Sequence, residues 1–311
     1  MDLLIPSLLL IVGLAGLSFG AEFLIRGAVS TSRLLGISPF IIGLTVIAWG
    51  TSAPEVVVSV GAALNGVPDV AVGNVIGSNI TNVLLIGGLT ALFLPLCCTP
   101  QTVRRDGPVL IFATLFVLVL AYWLEFLPRW AGVLLLLAMV VHTLVIFRFG
   151  GENEVEDAPD VAWGWGLASL SLFGGLLILI IGGQVFIVGA VALAEAIHVP
   201  EAIIGATVVA IGTSLPELFA SIAAARQGHR DLVIGNIVGS NLTNIMLVLG
   251  LVAFIAPLPV APELYHSSLV LFGVTSFVFI GLLLAGRSIG RWIGLGFLAA
   301  FAAYLYFSLL N

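Results

Sequence analysis

The sequence predicts an all-α polytopic membrane protein of ten transmembrane helices, arranged as two inverted five-helix repeats with helices broken at the membrane midplane. Three observations lead to this prediction. The 311-residue chain is 60% hydrophobic and 8% charged, with a mean hydropathy of +1.24. Its apolar residues fall into ten long stretches, and two blocks of the chain are close copies of each other. A soluble domain cannot bury this much apolar surface, so the chain belongs in a membrane.

A helix needs about 20 apolar residues to cross the hydrocarbon core. Breaks at Pro, Gly and charged clusters divide the chain on that scale. Several spans exceed the minimum length, so they can tilt or break within the membrane. The predicted spans are residues 3–25, 38–64, 70–96, 108–127, 130–148, 163–195, 202–225, 231–256, 267–286 and 291–310.

The arginines predict the orientation, since the chain has no lysine. Only Arg129 falls in an even-numbered loop. The positive-inside rule therefore places the odd-numbered loops in the cytoplasm, including the acidic loop 151–160, and both termini outside. We expect a multi-pass protein of the cytoplasmic (inner) membrane. The arginines of the odd-numbered loops are Arg26, Arg33, Arg104, Arg105, Arg148, Arg226, Arg230, Arg287 and Arg291.

Residues 43–88 align without a gap with residues 205–250 at an offset of 162 residues, and about half of the aligned positions are identical. With five spans in each half, the second copy must enter the membrane the opposite way up. Inverted repeats are typical of secondary transporters, which bind substrate near the midplane where the copies meet. We expect a first repeat at 1–150, an acidic cytoplasmic linker at 151–162 and a second repeat at 163–311.

Each copy places a proline within an apolar span, in the motifs "GTSAPE" and "GTSLPE". Pro54 and Pro216 have no N–H group, so the carbonyls of Gly50 and Gly212 lose their usual helical partner. These glycines also loosen the same turn. Free carbonyls occur at this depth only where they are buried in protein or line a wet cavity. The motifs therefore predict a broken helix in each half.

A glutamate follows each proline, at Glu55 and Glu217. An acidic residue at a helix centre costs about 2.5–3.5 kcal/mol on insertion. Repeating that cost in both halves indicates a ligand that offsets it. Carboxylates, free carbonyls and hydroxyls are hard oxygen donors, which suit Na⁺ or Ca²⁺. The neighbouring hydroxyls are those of Thr51, Ser52, Thr213 and Ser214.

The next span of each copy adds more oxygen donors, in "GNVIGSNITN" and "GNIVGSNLTN". Ser78 and Asn82 are four residues apart, as are Ser240 and Asn244, so each pair shares one helix face. An asparagine offers its carbonyl oxygen to a cation or holds a bound water. We expect these faces to line the same site as the glutamates.

Together these blocks resemble the α-repeats of the Ca²⁺:cation antiporter superfamily, close to the prokaryotic sodium/calcium exchangers. The resemblance covers both repeats and the ten-span layout. It implies that Glu55 and Glu217 bind Ca²⁺ and Na⁺ alternately, with Asn82 and Asn244 lining the central position. Some members carry Asp in place of Asn244, and its absence argues against potassium co-transport. The remaining sodium ligands implied are carbonyls near Ala48, Thr51, Ala210 and Thr213 and the side chains of Ser52, Ser214, Ser78 and Ser240.

The expected function is antiport of Na⁺ against Ca²⁺. Two ionised glutamates balance one Ca²⁺ or two Na⁺, and a third Na⁺ would leave one net charge moving in each cycle. Inward Na⁺ would then drive Ca²⁺ extrusion electrogenically, by sliding of spans one and six across the fixed bundle. We expect a monomer with no cofactor beyond the transported ions and, since there is no basic tract, no nucleic-acid partner.

Three other functions remain open from the sequence. A cation/proton antiporter of the same architecture would use the glutamates to exchange H⁺ for Ca²⁺ or another cation. A channel would need an open pore and no counter-ion. An intramembrane enzyme is disfavoured, because the repeats contain no Ser/His, paired-Asp or His-cluster arrangement. The hydroxyls and carbonyls of the repeats favour sodium over the proton.

Overall fold

The structure is a computed structural model that describes residues 3–97, 100–149, 163–198, 210–260 and 262–310, and these are almost entirely helical. The helices of the first half are α1 Leu4–Leu35, α2 Pro39–Ile42, α3 Ala48–Thr51, α4 Ala53–Leu64, α5 Pro68–Thr81, α6 Gly87–Phe93, α7 Pro100–Leu124 and α8 Arg129–Phe149. Those of the second half are α9 Trp165–Ala196, α10 Ala210–Gly212, α11 Leu215–Arg226, α12 Arg230–Leu242, α13 Gly250–Ile255, α14 Pro262–Leu284 and α15 Arg291–Leu310. In the described part of the chain, three π-helical segments join helices end to end: Gly43–Ile47, Asn82–Ile86 and Thr243–Leu249.

Within the described residues, eight helices are long and apolar enough to cross a membrane. The pair Pro39–Thr51 and Ala53–Leu64, bent by 43°, makes a ninth. These nine match nine of the ten predicted spans and make the chain a multi-pass membrane protein. The predicted seventh span, 202–225, starts in residues that lie outside the described part of the chain, and α10 and α11 are what is described of it.

The first helix is longer than predicted, ending at Leu35 rather than at residue 25. It closes at Gly36, whose φ of 66° is the left-handed conformation common after a helix and whose N–H donates to the Arg33 carbonyl. Arg26 and Arg33 therefore lie on the helix and not in a loop. The helix can carry Arg26 because Glu22, one turn earlier, forms an ion pair with it.

Helix α7 also begins earlier than predicted, at Pro100 rather than residue 108. The extra turns carry Asp106, which is buried although charged. Arg105 donates to the Asp106 carboxylate at 2.8 Å, and His142 Nε2 of α8 lies 3.1 Å from its other oxygen. The buried carboxylate therefore has polar partners, and it links α7 to α8.

Two short antiparallel pairings supplement the predicted all-α architecture. Strand β1 (Phe126–Leu127) pairs with β2 (Leu258–Pro259), with Leu127 opposite Leu258. A single bridge joins Leu96 to Ile289. The offset of 162 residues between the sequence repeats carries the first pairing onto the second. The two halves of the chain are therefore tied together by equivalent backbone contacts.

The two central helical rods, α5–α6 and α12–α13, are the most buried of the candidate spans. By contrast, α1 and α9 pack mainly along each other. Small residues line their contact: a Cβ added at Gly182 would lie 2.6 Å from the Leu17 backbone nitrogen. Close backbone approach of this kind is typical of small residues between membrane helices. The α1–α9 contact therefore depends on the absence of side chains.

The adjacent glycines of α9 test this dependence. A Cβ at Gly175 would lie 2.9 Å from the Gly20 carbonyl oxygen and 2.9 Å from Leu24 Cα, whereas a Cβ at Gly174 meets no described atom within 4 Å. We expect Gly175→Ala to destabilise the protein by about 1–3 kcal/mol through overpacking. Gly174→Ala is the matched control and should be close to neutral. Thermal unfolding in detergent measures both, and equal melting temperatures would contradict the packing argument.

Candidate cation site

Both proline–glutamate motifs lie at an interruption between two helices, as the sequence predicts. Helix α3 ends at Thr51 and α4 begins at Ala53, and Ser52 between them has φ −79° and ψ 7°. In the second half Ser214, with φ −86° and ψ 6°, precedes α11 in the same way. Pro54 lies in the first turn of α4, where a missing N–H costs no intrahelical bond. The prolines therefore restart the helix at a fixed position.

The glycines of these motifs have a further role that the sequence does not predict. The Ser52 N–H donates to the Ala48 carbonyl at 3.0 Å, and Pro54 has no N–H to donate to the Gly50 carbonyl. A Cβ at Gly50 would lie 2.8 Å from Leu176 Cδ1, and one at Gly212 would lie 2.8 Å from Ile187 Cδ1. Both glycines therefore make room for side chains of α9.

The two glutamates are brought together by bonds that cross between the halves. Glu55 and Glu217 are both buried, at 0% and 1% exposure. Ser214 Oγ donates to Glu55 Oε1 at 3.3 Å, and Ser52 Oγ donates to Glu217 Oε1 at 3.0 Å. The Oε2 atom of each glutamate is buried and has no hydrogen-bond partner among the described residues. Each carboxylate thus has one oxygen held by the opposite half and one oxygen unpaired.

An asparagine fixes the backbone of each glutamate. Asn74 Nδ2 of α5 donates to Ser59 Oγ at 2.9 Å and to the Glu55 carbonyl at 3.5 Å. In the second half, Asn236 Nδ2 of α12 donates to Ser221 Oγ at 2.8 Å and to the Glu217 carbonyl at 3.2 Å. These four residues are not among the site residues that the sequence predicts. The asparagines could have been found, because each lies four residues before a predicted site serine, on the same helix face.

The predicted second layer of donors is also buried at this centre. Four of its side-chain oxygens have no hydrogen-bond partner in the described part of the chain. Asn82 Nδ2 crosses between the halves to donate to Asn241 Oδ1 at 3.1 Å. The unpartnered oxygens are Ser78 Oγ, Ser240 Oγ, Asn82 Oδ1 and Asn244 Oδ1.

The predicted threonine and alanine positions lie at the helix interruptions. Thr51 Oγ1 donates to the Ala48 carbonyl at 3.4 Å, and Thr213 Oγ1 donates to Asn74 Oδ1 at 3.4 Å. Ala210 is the first described residue of α10. The Ala48 carbonyl also accepts the Ser52 N–H at 3.0 Å.

This donor set fits a hard cation. Buried polar atoms are almost always paired, so six unpartnered buried oxygens among the predicted site residues indicate a ligand that bonds to oxygen. Carboxylate, hydroxyl and amide oxygens are the ligands of Na⁺ and Ca²⁺. The described residues contain no group of three His, Cys, Asp or Glu side chains placed to hold a metal ion. The set therefore lacks the imidazole and thiolate ligands typical of zinc sites.

Known proteins of similar sequence include sodium/calcium exchangers and an inner membrane protein. The model of the family described as sodium/calcium exchanger protein matches residues 5–148 and 167–310. The sodium/calcium exchanger MaX1 of Methanosarcina acetivorans is 32% identical over 96% of this chain and 97% of its own length. The inner membrane protein YrbG of Escherichia coli (strain K12) is 36% identical over 97% of this chain and 96% of its own length.

A solved structure of a sodium-calcium exchanger has the same fold as this chain. The sodium-calcium exchanger NCX_Mj superposes with a TM-score of 0.86 at 29% identity, covering 99% of this chain and 98% of its own. The family match extends over most of the sequence, in both halves. The chain belongs to the sodium/calcium exchanger family of Ca²⁺:cation antiporters, as its repeats predict.

Proposed function

We propose that the protein exchanges Na⁺ for Ca²⁺ across the membrane by alternating access, with Glu55 and Glu217 as the central cation ligands. One observation carries this proposal: each buried glutamate has an oxygen without a partner, and serines of the opposite half hold the other oxygen. Buried carboxylates without a compensating charge are strongly unfavourable. A cation held between the two halves offsets that cost.

The other predicted ligands complete the proposed sites. Asn82 and Asn244 offer amide oxygens, and the Ala48 carbonyl would exchange its 3.4 Å bond from Thr51 Oγ1 for a cation. The same role is proposed for the hydroxyls of Ser52, Ser214, Ser78 and Ser240 and for the carbonyls of Thr51, Ala210 and Thr213.

We propose the full ten-span inverted repeat, with repeats at 1–150 and 163–311. The family model supports it by matching two segments related by the same offset of 162 residues. The two backbone pairings and the two serine–glutamate bonds obey this offset as well. We further propose an inner-membrane protein, active as a monomer, with both termini outside and the acidic loop 151–160 in the cytoplasm.

The moving part is proposed to be the α1–α9 pair. These helices pack closely on each other through glycines and contact the central bundle less extensively. A Cβ at Gly183 would lie 3.5 Å from the Pro216 ring, so α9 passes directly over the helix interruption. Sliding of the pair across the fixed bundle would expose the site alternately to each side, as in other inverted-repeat transporters.

Removing either central charge tests the site. We expect Glu55→Gln and Glu217→Gln each to reduce sodium-dependent Ca²⁺ uptake at least tenfold, since a bond to a charged group contributes about 1.5–3 kcal/mol. The assay is uptake of radioactive calcium into reconstituted vesicles, with and without opposing sodium. Glu195→Gln is the matched control, because Glu195 is exposed at the end of α9. Exchange that survives both site substitutions unchanged would refute the assignment.

The driving ion separates sodium exchange from the alternative, a Ca²⁺/H⁺ antiporter. The same glutamates could carry protons, so the variants above do not distinguish the two. We expect a sodium gradient at clamped pH to drive Ca²⁺ flux in liposomes and a pH gradient without sodium to drive none. Flux that follows only the pH gradient would favour the proton antiporter.

The charge count predicts electrogenic transport. With three Na⁺ exchanged for one Ca²⁺, one net charge crosses in each cycle, worth about 2.3 kcal/mol per 100 mV. We expect an inside-negative potential to accelerate sodium entry coupled to Ca²⁺ exit, and current recording to detect charge movement. Wild-type liposomes with measurable exchange but no current and no voltage dependence would exclude this stoichiometry.

A further inference from the structure

Hydrogen bonds between the halves fall into two classes. The serine–glutamate bonds are symmetric, because both equivalents are made: Ser52 to Glu217 and Ser214 to Glu55. Two further side-chain bonds join the repeat blocks 43–88 and 205–250 through asparagines, and for each of these only one of the two equivalents is made. The repeats have the same residues at all these positions, so the asymmetry belongs to the conformation and not to the sequence.

The first asymmetric bond joins a helix interruption to the opposite half. Thr213 Oγ1 donates to Asn74 Oδ1 at 3.4 Å. Its equivalent would join Thr51 to Asn236. Instead, Thr51 Oγ1 donates to the Ala48 carbonyl, and Asn236 Oδ1 is buried with no partner in the described part of the chain. The acceptor of the equivalent bond, Asn236 Oδ1 in the second half, is therefore present but unpaired among the described residues.

The second asymmetric bond joins the π-helical segment Asn82–Ile86 to α12. Asn82 Nδ2 donates to Asn241 Oδ1 at 3.1 Å. Its equivalent would join Asn244 to Asn79. Both polar side-chain atoms of Asn244 and the Oδ1 atom of Asn79 are buried, and none has a partner among the described residues. A donor and its matching acceptor are thus both unpaired on the other side of the repeat axis.

Backbone packing shows the same asymmetry. A Cβ at Gly235 of α12 would lie 2.6 Å from the Phe40 carbonyl oxygen and 3.0 Å from the Leu44 nitrogen. The equivalent residue of α5, Gly73, is exposed. Asn236 is buried, whereas its equivalent Asn74 is only half-buried. The first half of the chain thus packs closely on α12, while Gly73 on the matching face of α5 is exposed; the residues equivalent to Phe40 and Leu44, at 202 and 206, lie outside the described part of the chain.

We propose that these two bonds and their unmade equivalents form a reciprocal switch between the two access states. This inference rests on the proposed alternating access. In the opposite-facing state both unmade bonds form and both made bonds break, as the halves exchange conformations. Each state then leaves an equal set of buried amide groups unpaired. Asn79 and Asn241 are positioning residues: each accepts a bond in one state only, and neither belongs to the proposed ligand set.

Matched substitutions test the switch. Asn241→Ala removes the acceptor used in the state seen here, and Asn79→Ala removes the acceptor of the opposite state. One neutral hydrogen bond shifts a two-state equilibrium by about two- to tenfold. The measured quantity is the ratio of half-saturating Ca²⁺ concentrations at the two membrane faces, in right-side-out and inside-out vesicles. We expect the variants to shift this ratio in opposite directions, with the double variant near wild type.

The ratio isolates the switch from direct effects on cation binding. A change in intrinsic affinity alters both faces alike, because one site serves both. Shifts of the ratio in the same direction, or none, overturn the proposal. Should an alanine variant fail to insert, Thr213→Val and Thr51→Val remove the donors of the first bond pair, with the same opposed shifts expected.

A second measurement separates this inference from the proposed function. Hydrogen–deuterium exchange of the α5 and α12 amides reports which half is open without any transported ion. Asn241→Ala should slow exchange in α5 and speed it in α12 relative to wild type, and Asn79→Ala should do the reverse. Wild-type protein that moves no Ca²⁺ would refute the function, whereas unchanged exchange patterns in both variants would refute the switch.

Discussion

The structure depends on the burial of two carboxylates at the meeting of its halves. Each of Glu55 and Glu217 is bound through one oxygen by a serine of the opposite repeat, and its other oxygen has no partner in the described residues. An isolated buried charge is among the most costly groups a protein can contain. The crossed serine bonds relieve part of that cost and place the carboxylates where a cation can relieve the rest. A site built this way requires both halves, since neither repeat holds its own glutamate by this bond.

The helix interruptions serve this arrangement. Ser52 and Ser214 can reach across because they lie between two helices, where their backbone is not committed to a regular turn. The prolines restart the chain so that each glutamate falls in the first turn of a new helix, where unpaired N–H groups and the helix dipole favour an anion. Asn74 and Asn236 then hold the glutamate backbones from the neighbouring helices. Backbone and asparagine amide groups of the surrounding helices therefore fix the position of each carboxylate.

The same pseudo-symmetry is compatible with the proposed alternating access. The serine–glutamate bonds are equal in both halves, so they would not favour one access state over the other. The asparagine bonds and the packing of α5 and α12 do differ between the halves. Close glycine contacts keep α1 and α9 together as a pair. The serine–glutamate bonds are equivalent in the two halves, and the contacts around them differ. This combination suits the proposed exchange between two nearly equivalent conformations.

The sequence by itself determined the membrane class, nearly all the spans, the interrupted helices and the paired glutamates, because hydropathy, proline and duplicated motifs are local signals. It could not determine where α1 ends or where α7 begins, since contacts such as those of Asp106 with Arg105 and His142 form only in the folded chain. It predicted that the glycines of the motifs loosen the turn, but not that Gly50 and Gly212 also make room for α9. Only the tertiary structure decided which serine meets which glutamate and which asparagine bonds are made. Those contacts join residues about 140 to 165 positions apart, and no local pattern specifies their pairing.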